Sequence, residues 1–92
     1  MNIEELRQIL VSRFEHHIAK ASQLWLSREK INYIKEAKDA FANCETIAQI
    51  DAAAYEMRPG YLQKEALKII NDYVTVYITA AEAASAAQGK YL

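Results

Sequence analysis

Glu15-His16-His17 is the stretch of this 92-residue chain where proton- and metal-binding side chains crowd together. Neighbours on a helix point about 100° apart, so His16 and His17 do not converge on one ion. Helical metal sites place His at i,i+4, or Glu three residues ahead of His. Here the residues three ahead are Arg13 and Phe14. His17 instead falls on the apolar line of Leu10, Phe14, Ala21 and Leu24. It is expected as a half-buried histidine with one hydrogen-bond partner, and Tyr73 or Tyr77 would serve, since a buried phenol needs a partner too.

Cys44 is the single cysteine. A thiol beside a histidine can make a nucleophile–base pair, but no local motif surrounds Cys44, and a free cysteine commonly packs as a small hydrophobe. Adjacent carboxylates occur as Glu4-Glu5, and the other acids stand singly on polar faces. Gly60 and Gly89, the two glycines, lie too far apart for a phosphate-cradling loop. No catalytic residue, metal ligand or cofactor site is expected, and the chain is expected not to be an enzyme.

Such side chains need elements to hold them. The chain is 52% hydrophobic and 25% charged, with a net charge of −1, the balance of one packed domain over residues 1–92. Two glycines and one proline are too few for the turns of an all-β domain. Acids and bases balance within each half of the chain, so no excess positive charge is set aside for phosphates. Nucleic acid is disfavoured as a partner. No uninterrupted apolar stretch approaches the ~18–20 residues of a membrane span, and MNIEELRQ lacks the basic start of a signal peptide. The expected location is cytoplasmic, away from membranes.

Four helices are expected. Asn2 with Glu5 is a capping-box pattern ahead of Ile3, Leu6, Leu10, Phe14, Ile18, Ala21, Leu24 and Trp25 at helical period. Trp25, at the end of that stripe, is expected in the core with its N–H reaching a loop. Ser27 can cap a second helix whose buried side is Ile31, Ile34, Ala37 and Phe41, with Lys35 and Asp39 paired at i,i+4 on the wet side. Thr46 with Gln49 caps a short third helix bearing Ile47, Ile50, Ala54 and Met57, and Pro59-Gly60 ends it.

The last segment carries two conflicting periods. Val74, Val76 and Ile78 alternate with Thr75, Tyr77 and Thr79 as in a strand. Over a wider window Leu62, Ala66, Ile69, Ile70, Tyr73, Tyr77, Ala80, Ala84 and Ala87 share one helical face. A strand would need a partner strand, and no other segment offers one. A helix over residues 61–88, stopped by Gly89, is expected. Leu67, Val74, Ile78 and Ala81 form a second apolar line beside the first, which broadens the greasy face to about half the circumference.

The expected architecture is all-α: a small bundle of three short helices and one long C-terminal helix. The expected function is protein–protein interaction by a small accessory, adaptor or inhibitor protein of bacterial or phage type. It would dock stoichiometrically and form a homodimer through the C-terminal helix. Leu67, Val74, Ile78 and Ala81 would make the interface, with Tyr33 and Tyr55 at its sides because tyrosine offers area and a polar tip. The alternative is a helix-turn-helix regulator with Arg28, Lys30, Lys35 and Lys38 near phosphates. Against it, the third helix exposes Gln49, Asp51 and Glu56 and no basic residue before Arg58, a poor face for reading a major groove.

Overall fold

Asn2 opens the first helix by accepting the N–H groups of Glu4 and Glu5 on its side-chain oxygen, at 3.0 and 3.3 Å. Those donors have no partner inside the helix and would otherwise need water. α1 spans Ile3–Gln23, α2 Arg28–Ala42, α3 Ile47–Glu56 and α4 Tyr61–Gly89. The computed structural model describes the backbone of residues 2–89 and the side chains of residues 2–77. The class is all-α, with no strand among the described residues. The division into three short helices and one long one does not hold. α1 runs for 21 residues and α2 for 15, and only α3, at 10, is short.

The caps lie where the sequence places them. Ser27 Oγ accepts the Lys30 N–H at 3.3 Å. Thr46 Oγ1 accepts the Gln49 N–H at 3.1 Å, and Gln49 Oε1 accepts the Glu45 N–H at 2.7 Å. The Asn2 box is completed differently from the expectation. The Asn2 N–H donates to Tyr73 Oη at 3.2 Å rather than to Glu5. That hydroxyl lies 3.0 Å from the Asn2 carbonyl and 3.3 Å from the Glu5 carboxylate. α4 therefore does the work that a local side chain does in an ordinary capping box. On the wet side of α2, Asp39 pairs with Lys38 at 3.8 Å, not with Lys35.

One hydrophobic cluster draws on all four helices. Leu6, Leu10, Phe14, Phe41 and Ile50 are its largest fully buried side chains. The Phe14 and Phe41 rings meet at 5.4 Å between centroids, tilted by 51°, within the range favoured by the ring quadrupole. Ala54 of α3 and Ala66 of α4 are completely buried, and small side chains there let these two helices approach closely. The alternating run from Val74 is helical. Burial of the α4 stripe outweighs the few tenths of a kcal/mol per residue that β-branching costs in a helix.

Two aromatic expectations fail. Trp25 is 93% exposed because α1 ends two residues earlier and the chain turns away. The Leu26 N–H bonds to the Ala21 carbonyl at 3.1 Å and the Trp25 N–H to the Ser22 carbonyl at 3.3 Å. This paired pattern is a Schellman motif, and Trp25 sits at its left-handed position with φ 56°, where glycine is usual. Tyr77 is exposed rather than core. It lies one turn beyond Tyr73, which is already level with the first residue of α1, and none of the other three helices reaches far enough to cover it.

Candidate functional site

His17 is half-buried as expected, but its partner is Glu65 of α4. The His17 Nε2 to Glu65 Oε2 distance is 2.9 Å. Arg13 Nη1 stands 3.4 Å from the other carboxylate oxygen, which makes no hydrogen bond. The rings of Phe14 and Tyr61 flank the imidazole at 6.2 and 5.9 Å. Tyr73 belongs to the α1 cap and Tyr77 faces outward, so neither expected partner reaches His17. Sequence alone offers one faint signal for Glu65: an acid on the same side of α4 as Leu62, Ala66 and Ile69. The arrangement joins α1 to α4. Among the described residues no three His, Cys, Asp or Glu side chains gather as metal ligands.

Cys44 lies at the other end of α1, against Arg7. Its carbonyl accepts from Arg7 Nη1 at 2.6 Å and its thiol donates to the Ala40 carbonyl at 3.1 Å. Burial pushes the thiol pKa above its ordinary value, and the Arg7 cation pulls weakly the other way. Reactive cysteines sit where the thiolate is stabilised, and this one sits where it is disfavoured. Cys44 and His17 share no partner.

The residues expected at an interface divide into three groups. Leu67 and Val74 are half-buried and pack on the edge of the core. They line a groove between α3 and α4 together with Ile47 and Tyr55, and Tyr55 is 67% exposed. Tyr33 has an intramolecular task. Its hydroxyl accepts the Arg58 N–H at 3.0 Å, and the Arg58 guanidinium lies 4.9 Å over its ring, a cation–π contact. Ile78 and Ala81 lie outside the described side chains. Of the cations assigned to a DNA-binding alternative, Arg28, Lys30 and Lys35 are exposed on α2, and Lys38 stands beside Asp39.

A second concave surface escaped the sequence reading. At the end of the bundle where α1 turns into α2 and α3 into α4, a slot of about 320 Å³ opens between Leu26, Tyr33, Ile34 and Leu62. The segment Pro59–Tyr61 closes one side, and Lys30 and Arg58 supply its charges. The α3–α4 joint that shapes it is tied down by Gln63. Its Nε2 lies 3.1–3.2 Å from the carbonyls of Ala54, Tyr55 and Met57 at the C-terminal end of α3, where helical carbonyls run out of intrahelical donors. Pro59-Gly60 marks this joint in the sequence. The slot itself is invisible there because its walls come from α2, α4 and the two joints that precede them.

Fold and surfaces together define a small all-α protein with an apolar groove between α3 and α4, an apolar slot beside the α1–α2 turn, and no assembled metal-ligand set among the described residues. No protein-family model matches the chain, and neither a curated protein nor a solved structure matches it. Among the described residues no helix is long and apolar enough to cross a membrane.

Proposed function

We propose that the protein acts by stoichiometric docking on other polypeptides and that it self-associates through α4. The observation that carries this reading is the groove between α3 and α4, where Leu67 and Val74 remain half-exposed beside Ile47 and the exposed Tyr55. One subunit leaves this second apolar line of α4 only partly covered. The helix then continues past its contact with Asn2 to Gly89, and residues 74–89 at about 1.5 Å each add a rod of ~24 Å. Helix pairing along such a seam offers area of the order a stable interface needs, ~800 Å² from each partner. Catalysis has no support in the arrangement of His17, Glu65 and Cys44, whose contacts tie elements together.

Light scattering over a range of concentrations tests the proposal. The mass is expected to rise toward that of a dimer with concentration. Leu67→Glu with Val74→Glu, made together, is expected to hold the protein at monomer mass with its helical circular dichroism intact. A mass that stays monomeric at every concentration would count against self-association.

A further inference from the structure

Trp25 works against the fold twice. A bulky side chain at a left-handed φ is strained where glycine is not, and a 93% exposed indole leaves a large apolar surface in water. Nothing among the described residues compensates, for its backbone N–H has only the turn bond to Ser22 that any residue would make there. Leu24 is 61% exposed and Leu26 40%, so Leu-Trp-Leu forms an apolar prominence at the tip. Leu26 also lines the slot next to it.

The charges say what kind of surface would cover this end. Lys30 and Arg58 line the slot with no Asp or Glu among the lining residues, and among the described residues neither cation takes part in an ion pair. Arg28 is exposed one turn of chain away. A second copy turned face to face would set these cations against each other, and like charges at close range are costly. Tyr33 and Gln63 hold the slot open as a formed cavity, which suits an inserted side chain better than a flat bilayer surface.

We infer that the slot beside Trp25 is a docking site for an acidic, amphipathic segment of a partner protein. One apolar side chain of that segment would enter between Leu26, Tyr33 and Leu62. Its flanking carboxylates would meet Lys30 and Arg58, and Trp25 would lie over it as the aromatic anchor. Aromatic and cationic side chains around a small pocket are the usual carriers of binding energy. The inference shares the docking reading given above but uses a different face, so the mass measurement and the peptide measurement fail independently.

The test uses the full chain, whose only tryptophan is the reporter. The probe is a Trp-free peptide with Leu and Phe anchors between Glu and Asp residues. It should shift the Trp25 emission to the blue and saturate, and added salt should weaken its binding about tenfold. Calorimetry on Trp25→Gly should show binding lost by at least tenfold while the melting temperature stays equal or rises, which separates anchoring from folding. Lys30→Glu with Arg58→Glu should reverse the preference toward a peptide with Lys in place of the acids. Equal binding of the acidic and basic peptides by the native chain overturns the inference. So does a blue shift with phosphatidylserine vesicles and none with the acidic peptide, or unchanged peptide affinity in Trp25→Gly.

Discussion

Glu65 Oε2 lies 2.9 Å from His17 Nε2 and thereby joins α4 to α1 at a half-buried position. Arg13 stands on the other side of the same carboxylate, so one acid is shared between two bases of α1. Pairs of this kind contribute modestly because water screens them and because both partners give up hydration. A double-mutant cycle on His17→Ala and Glu65→Ala in urea is expected to return a coupling of about 1 kcal/mol. Glu65→Gln should retain most of it, since an amide still bonds the imidazole. A coupling near zero would mean that the contact contributes nothing to stability.

Tyr73→Phe removes one hydroxyl and leaves the ring. That hydroxyl serves both the N–H and the carbonyl of Asn2, so the change is expected to cost about 1 kcal/mol. The loss should be local. Amide exchange in the first turn of α1 should quicken, while exchange around Phe41 and Ile50 should track only the global change.

Trp25→Gly should stabilise the fold by roughly 0.5–1 kcal/mol, because glycine adopts the left-handed position of the Schellman turn without steric cost. Thermal unfolding decides it. Trp25→Val should go the other way, since β-branched side chains resist positive φ.

Cys44 gives a pH dependence with a definite sign. Its thiol pKa is raised in the folded state by burial, with the Arg7 cation opposing, so folding favours the neutral thiol. The resulting stability is fully present below the unfolded thiol's pKa and is lost as pH rises through the folded one. Urea midpoints should therefore fall between neutral and alkaline pH, and the fall should be shallower in Cys44→Ala. Iodoacetamide should label Cys44 slowly in the native protein and quickly in urea.

Phe14→Ala empties the centre of the cluster. Phe14 is fully buried and packs directly on Phe41, so a loss of about 3–5 kcal/mol is expected from transfer and cavity together. In a domain of this size that approaches the whole stability, and the variant should be largely unfolded by circular dichroism at mild urea.

The caps at Asn2, Ser27 and Thr46 were legible because each is decided within a few residues of chain. The helical nature of residues 74–79 was legible from a window wider than the misleading alternation. Trp25 was not, because the apolar period of α1 runs on to it without a glycine or proline to mark the stop. The break is made by backbone bonds to Ala21 and Ser22, which any sequence can form. Glu65 as the partner of His17 was hidden by 48 residues of separation, and helical periodicity reports faces but not which faces meet. Tyr77 was misjudged for a related reason: the stripe says which side of α4 is apolar, while the length of α1 decides where cover ends. The sequence puts Leu67 and Val74 on one face of α4, and only the α3–α4 packing reveals that they border a groove.

The bond between Tyr73 and Asn2 spans 71 residues of sequence, and a ribosome makes its two halves at very different times. α1 and α2 emerge early and can bring Phe14 onto Phe41 while the remainder is still being translated. The leading turn of α1 then waits, with its N–H and carbonyl in water, until Tyr73 clears the exit tunnel. Closure of that turn is accordingly a late event of biogenesis, and a chain stalled within α4 would present a frayed first turn of α1 to the proteases that survey unfinished products.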